Sequence, residues 1–361
     1  MKFVGQPKLL DKTGFMGRVS SIIDSQVWGN NGFYVEALEA YLAEYLGCHC
    51  VAVSNATIGL KLATKAYLET IYGSNLSNIT CLMQSYTFVA AATIMQELGI
   101  SVKYADIDNS YCLNPKELEE PCQWEFVLGS NLFGNLSDKS LYGSNTYPTV
   151  WDNAHGLGVY NEFMEAYVGA DCDISVFSLH PTKFCGSGEC GIITCKDPDL
   201  AKHLREVRNF GYQISGGGRE GTIKAYGTNA KITEIQSAMS LTQLESIQEI
   251  QEHYYNIHME YERLAPDLIK PKNNLFSNWS YVVTEVNNRE SVINSMNKDG
   301  IYPRSYFKPL HHINLYRDDI NLPNTDRLAE RTLCLPTGLS VNTLDVQYIV
   351  NSLRRAINES R

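Results

Sequence analysis

Between residues 50 and 200 this chain alternates short apolar runs with segments of helical apolar spacing, and no other feature restricts its fold as strongly. Runs at 50–53, 81–84, 102–107, 126–128, 147–151, 174–179 and 191–194 read as strands. Helical patterns fall between several of them: Leu60, Ala63 and Tyr67 share one face, and residues 89–98 form an alanine-rich segment. Such alternation predicts a mostly parallel sheet covered by helices on both faces. One run stands apart. The apolar segment 174–179 drives into Ser178-Leu179-His180-Pro181-Thr182-Lys183-Phe184-Cys185-Gly186, and a glycine-marked turn leads to the next apolar run at Gly191. Lys183 is therefore an amine between two candidate buried strands. Burial disfavours its charged form and can make it a nucleophile.

The outer parts of the chain differ in character. Residues 1–46 read as a polar, glycine-marked lead-in followed by a helix with Val35, Leu38, Leu42 and Leu46 on one side. Residues 215–221 form a glycine-rich mobile loop in this reading. They are no phosphate loop, because no strand precedes them. A long helical pattern runs from Ile232 to about Leu264. Beyond it, residues 278–286 alternate like a half-exposed strand, 290–296 read as a helix, 300–303 as the start of a strand and 343–357 as a closing helix. With 361 residues the chain suits two domains. The expected division is a large α/β domain, 1–240, and a smaller α+β domain, 241–361.

A formal net charge of −10 argues against nucleic acid or an anionic membrane as partner. It does not exclude a phosphorylated small molecule, which a helix start can bind locally. Ten cysteines are scattered with no CxxC pair, so no metal site is expected from them. No apolar run reaches membrane-spanning length and no signal-peptide core follows the N-terminus, so a cytoplasmic protein with reduced thiols is expected.

Other groups converge on Lys183. The run 147–151 delivers Asp152 to the carboxyl end of a strand, where ligands of open α/β sheets bind. A carboxylate there needs a cation or hydrogen-bond donors, although a helix N-cap would use it equally well. Ser54-Asn55-Ala56-Thr57 joins a strand to a helix, which points free N–H groups at an anion; an ordinary cap uses the same residues. Phe88, just past a strand end, could lie on a flat cofactor or pack in the core. A lysine to join an aldehyde and carry a proton, an acid for a pyridine nitrogen and donors for a phosphate are what pyridoxal 5′-phosphate requires. Lys183, Asp152, and Ala56, Thr57 and Ser178 supply them in turn, with His155 or Phe88 to clamp the ring.

At this level of detail the sequence resembles the DegT/DnrJ/EryC1/StrS sugar aminotransferases, pyridoxal-phosphate enzymes of fold type I. The resemblance rests on Gly29-Asn30-Asn31-Gly32, Ser54-Asn55-Ala56-Thr57, Tyr86-Thr87-Phe88-Val89-Ala90, Asp152-Asn153-Ala154-His155, the stretch from Ser178 to Gly191, Gly227-Thr228-Asn229-Ala230-Lys231, and Tyr306-Phe307 with Pro309-Leu310-His311. It implies that Lys183 is the Schiff-base lysine, Asp152 the partner of the pyridinium nitrogen, His155 a neighbour of the phenolic oxygen and Phe88 the stacking aromatic. Ala56, Thr57 and Ser178 would hold the phosphate. Asn229 would reach the phosphate in the neighbouring subunit of a homodimer with shared sites, and Tyr306 and His311 would contact the acceptor. The implied reaction takes an amino group from L-glutamate to a sugar nucleotide. The segment around Asn229 is most similar to the branch that aminates C4 of dTDP-4-keto-6-deoxyglucose, giving dTDP-4-amino-4,6-dideoxyglucose for surface polysaccharide, such as O-antigen, or antibiotic sugars. A C3 aminotransferase, a GDP- or UDP-linked substrate, and a non-catalytic binder of cofactor or sugar nucleotide are the other readings. Two positions depart from the family pattern: Ala56 and Cys190 stand where glycine is usual.

Overall fold

A seven-stranded sheet organises the chain. The computed structural model describes residues 1–119, 123–142, 147–214 and 221–360. Across the sheet the strands run in the order His49–Val53, Gly191–Cys195, Ile174–Ser178, Thr149–Asp152, Phe126–Ser130, Thr80–Gln84 and Ser101–Ala105. The strands from Ile174–Ser178 to Ser101–Ala105 pair in parallel, whereas Gly191–Cys195 is antiparallel to both its neighbours. The sheet is mostly parallel, as expected, with one reversed strand. That reversal follows from the connection at 179–190, which holds no helix to carry a parallel crossover.

Helices cover both faces. Val51 and Val53 belong to one core, with the helices Ala56–Tyr72, Ala90–Leu98 and Pro198–Val207. Cys50 and Ala52 point into the other, with Phe33–Leu46 and Glu234–Leu244. This is the period of two expected of a strand buried on both sides. Glu39, on Phe33–Leu46, ties the layers together: its carboxylate meets Arg205 and Arg208 and accepts the Ala52 N–H. A third core joins the helices Ile247–Leu264, Arg289–Lys298 and Thr343–Glu359 to the strand pair Val282–Glu285 and Thr332–Leu335.

Several expectations are corrected. The lead-in contains a helix, Lys12–Ser25, capped by Asp11, which accepts the Gly14 N–H. Ile22 is its one buried residue, so it carries little apolar periodicity to read. The pattern from 232 to 264 is two helices, not one. Glu234–Leu244 starts at a Thr233 capping box, and Ile247–Leu264 follows a break at Glu245 and Ser246. Residues 278–281 are not strand. Asn278 turns inward and donates to the His155 and Leu157 carbonyls, so only Val282–Glu285 pairs. The strand near 300 is short, Ile301–Tyr302, and pairs in parallel with Lys2–Phe3 from the other end of the chain. Of the glycine-rich loop, residues 215–220 lie outside the described residues, and Gly221–Ile223 pairs with Tyr212–Ile214.

Candidate active site

Asp152, Lys183, the start of the helix Ala56–Tyr72 and Phe88 all line one cavity of about 500 Å³. It lies at the carboxyl ends of the parallel strands, because Asp152 and Ser178 are the last residues of their strands. The helix Ala56–Tyr72 is held there by close packing. Gly59 touches the sheet so nearly that an added Cβ would meet Val53 and Val176 at 3.1 Å. Asn55 caps the helix, its side chain accepting the Ile58 N–H at 3.0 Å. The first-turn N–H groups of Ala56 and Thr57 are left for an anion.

The lysine turn is built by the backbone. The Lys183 N–H donates to the His180 carbonyl and the Gly186 N–H to the Lys183 carbonyl, both at 2.8 Å. A Cβ on Gly186 would come within 2.4 Å of the His180 oxygen, so only glycine closes this turn. Lys183 Nζ ends 2.7 Å from His155 Nε2. The His155 ring is buried and stacked on Tyr281 at 4.4 Å. Its Nδ1 accepts the Phe133 N–H at 3.2 Å. That bond places the imidazole proton on Nε2, facing the amine. Burial, then the charges of Lys183 and Lys272, hold His155 well below the usual histidine range, so the ring is neutral. Burial likewise lowers Lys183 to about 8, opposed by Asp152 and assisted by Arg304. The imidazole is therefore neutral, and the amine beside it loses its charge only above about pH 8, reaching there the state in which a lysine is nucleophilic.

Asp152 accepts one N–H, that of Ala154, at 3.1 Å. Burial raises its pKa, and the Ala154 N–H and Lys183 oppose the shift. Among the described residues no side-chain cation forms an ion pair with it. Behind it Asn131, Asn153 and Ser175 form a buried hydrogen-bonded chain, with contacts of 2.8 and 2.7 Å. Phe88, on the cavity wall, is 54% exposed. An exposed aromatic and an under-partnered carboxylate in one cleft fit a flat, cationic ring between them. The helix start and Ser178 suit a phosphate at its edge. The residues present fit pyridoxal phosphate.

The sequence profile of the DegT/DnrJ/EryC1/StrS aminotransferase family matches residues 11–354. The chain belongs to that family. It is a pyridoxal-phosphate-dependent sugar aminotransferase of fold type I. It is 27% identical to a dTDP-4-amino-4,6-dideoxy-D-glucose transaminase of Shigella dysenteriae, over 98% of each chain. A Helicobacter pylori UDP-4-amino-4,6-dideoxy-N-acetyl-beta-L-altrosamine transaminase is 25% identical, over 87% of this chain and 88% of its own. Among solved structures, DesI in the presence of its TDP-sugar product superposes with a TM-score of 0.86 at 29% identity, over 99% of this chain and 94% of that one.

The two departures from the family pattern leave the backbone of this aminotransferase unstrained. Cys190 is not among the residues with left-handed φ, and its side chain is buried in the core. The glycine that matters is the next one. A Cβ on Gly191 would sit 2.5 Å from the Asn55 backbone, against the phosphate-facing turn. Ala56 is an ordinary first helical residue packed at the edge of a core.

Tyr306 lines the cavity, as expected of an acceptor contact, but His311 does not. His311 is 2% exposed, with Nδ1 2.7 Å from Ser85 Oγ, so its ring meets that hydroxyl and not the cavity. Asn229 is exposed and accepts from Lys231 Nζ at 2.6 Å; it does not line this chain's own cavity. Sequence reasoning missed Arg304, which lines the cavity two residues before Tyr306. It missed Lys272 as well. Its amine donates to the Phe133 and Tyr281 carbonyls and so braces the residue that orients His155. Burial drops its pKa to about 7. Neither residue has a sequence signal, because the chain reaches the site from more than a hundred residues away.

Proposed function

We propose that the enzyme transfers the amino group of L-glutamate to C4 of dTDP-4-keto-6-deoxyglucose, forming dTDP-4-amino-4,6-dideoxyglucose for a surface polysaccharide or an antibiotic sugar. The observation that carries the chemistry is the 2.7 Å contact between Lys183 Nζ and His155 Nε2 inside the Asp152 cavity. When bound, pyridoxal phosphate supplies an electron-withdrawing ring and an aldehyde that accepts an amino group. The chain's own residues do the rest. Lys183, its pKa lowered by burial, removes the proton from the donor's α-carbon and returns one to the sugar carbon. Asp152 holds a positive ring nitrogen by its charge. Ala56, Thr57 and Ser178 bind the phosphate, Phe88 covers the ring face, and Tyr306 and Arg304 meet the substrates. The names of the Shigella relative and of DesI's TDP-sugar product support the dTDP-linked acceptor.

A UDP-linked acceptor is the second reading, favoured by the Helicobacter relative. A panel of dTDP-, UDP- and GDP-linked 4-keto and 3-keto sugars with glutamate decides, with products identified by NMR. The dTDP-4-keto-6-deoxy sugar should give the highest kcat/KM, with nitrogen at C4. A higher value on any UDP-linked ketone would overturn the base assignment, and nitrogen at C3 the carbon.

The same reading makes the enzyme a cytoplasmic homodimer with a cofactor-binding part, 1–240, and a smaller part, 241–361. The separate core of the second part supports the division. All nine described cysteines are unpaired, which suits a reducing compartment. Among the described residues no helix is long and apolar enough to cross a membrane. Met16, Ile23, Trp28, Phe33 and Ile235 are all exposed on or beside the helices Lys12–Ser25, Phe33–Leu46 and Glu234–Leu244, which pack on one another, and a second copy would cover apolar side chains of this kind. Sedimentation should therefore give twice the chain mass in the concentration range where turnover is measured. A fully active monomer would contradict the shared site at Asn229.

A further inference from the structure

A second cluster of ligating side chains lies where the segment carrying Tyr306 leaves the catalytic cavity. We infer that His311, His312 and Asp326 form a binding site for one divalent metal ion of zinc's class, joining that segment to the helix Pro323–Arg331. None of the three lines the catalytic cavity. The inference is independent of which sugar the enzyme uses.

Nε2 of His311 and Nε2 of His312 each lie 3.3 Å from Asp326 Oδ1, and the three donor atoms all fall within 4.8 Å of one another. A tetrahedral ion with bonds of about 2.0–2.1 Å holds its ligand atoms about 3.3–3.4 Å apart. Octahedral coordination at the same bond length needs about 2.9 Å. Two edges of the cluster thus already have the tetrahedral spacing. His312, 48% exposed, has the freedom to set the third.

His311 is 2% exposed, and its Nε2 is buried without a hydrogen-bond partner. Asp326 Oδ1 is in the same condition. The two atoms lie 3.3 Å apart, longer than a well-formed N–H···O hydrogen bond. Buried polar atoms in native proteins are almost always satisfied, and an ion at the cluster would satisfy both. Asp326 has no lysine or arginine partner among the described residues.

His311 Nδ1 lies 2.7 Å from Ser85 Oγ. With Nδ1–H donating to that hydroxyl, the Nε2 lone pair is left for a metal, which is how ligating histidines are ordinarily oriented. Asp326 sits in the first turn of its helix. Buried Asp106 fixes that turn by accepting two of its backbone N–H groups, at 2.7 and 3.0 Å. Two imidazoles and one carboxylate are a zinc-type donor set, and a neighbouring surface cleft lined by His311, His312 and Asp318 leaves room for a water at the fourth position. The cysteines that looked unpromising for a metal contribute nothing here.

The test uses the full-length holoenzyme without an affinity tag. After chelator treatment and dialysis against micromolar free zinc, elemental analysis should find one zinc per chain. Cobalt substituted for zinc should give the visible bands of tetrahedral nitrogen and oxygen ligation, without the thiolate band that a cysteine site would show. His312→Ala and Asp326→Asn, both at half-exposed positions and checked for native circular dichroism, should lose the ion under the same conditions. Ser85→Ala should weaken binding by about 10–100-fold. Less than stoichiometric zinc in the wild type, a thiolate band, or unchanged binding in both His312→Ala and Asp326→Asn would each overturn the site.

Discussion

Lys183→Ala should abolish both the visible absorption of the holoprotein and its turnover. Lys183 is the cavity's lysine amine, and burial brings its pKa down to about 8. It is asked to act as nucleophile toward the cofactor and as proton carrier toward both substrates. Proton transfer alone contributes about 10²–10⁴-fold, and the substitution removes the covalent role as well, so turnover should fall by at least about 10⁴-fold. Native circular dichroism with a colourless, inactive protein is the expected combination. Retained visible absorption after dialysis would mean that another amine holds the cofactor. The pKa adds a pH arm. A lysine whose pKa is lowered is charged below the new value and neutral above it. Uptake of pyridoxal phosphate by the cofactor-free protein should therefore rise roughly tenfold per pH unit up to about pH 8 and level off above. An uptake rate still climbing at pH 10 would show that burial leaves the amine unperturbed.

Asp152→Asn should leave the protein coloured and nearly inactive. Asparagine keeps the shape, and its oxygen can still accept the Ala154 N–H. It loses the charge. Among the described residues Asp152 has no side-chain cation in an ion pair, so its negative charge is available to a protonated ring nitrogen. An ion pair at about 4 Å in partly buried surroundings is worth about 4 kcal/mol, equivalent to about a thousandfold in rate if it operates only as charge builds on the ring. Single-turnover rates with glutamate should fall by that order, while cofactor content stays near one per chain. Unchanged turnover in a fully loaded protein would remove Asp152 from the chemistry.

Both positions were legible in the sequence because Asp152 ends an apolar run and Lys183 follows one within a short turn. Strand Ile174–Ser178 is buried throughout and so announces itself without alternation, and the same is true of Gly191–Cys195. Their carboxyl ends are then fixed by topology, and Ser178 and Asp152 fall on them. The helix Lys12–Ser25 was not legible, since it buries only Ile22. The segment 278–281 misled for the opposite reason. Its alternation is real, but Asn278 and Tyr281 point inward to hold His155 rather than to pair in a sheet. His311 shows the limit of motif reasoning. It sits beside Tyr306 in sequence and still turns its ring to Ser85 and Asp326.

The sequence by itself determined the α/β class, the parallel sheet, the lysine turn and the presence of an acid and an anion-binding helix start. These depend on residues within one strand–turn–helix unit, where period and turn chemistry act locally. Only the tertiary structure decided the protonation state of the lysine. That state depends above all on burial, to which segments from the far end of the chain contribute, and on the opposing charges of Asp152 and Arg304. Desolvation is a sum over everything that excludes water from a point, and no single stretch of sequence contains it.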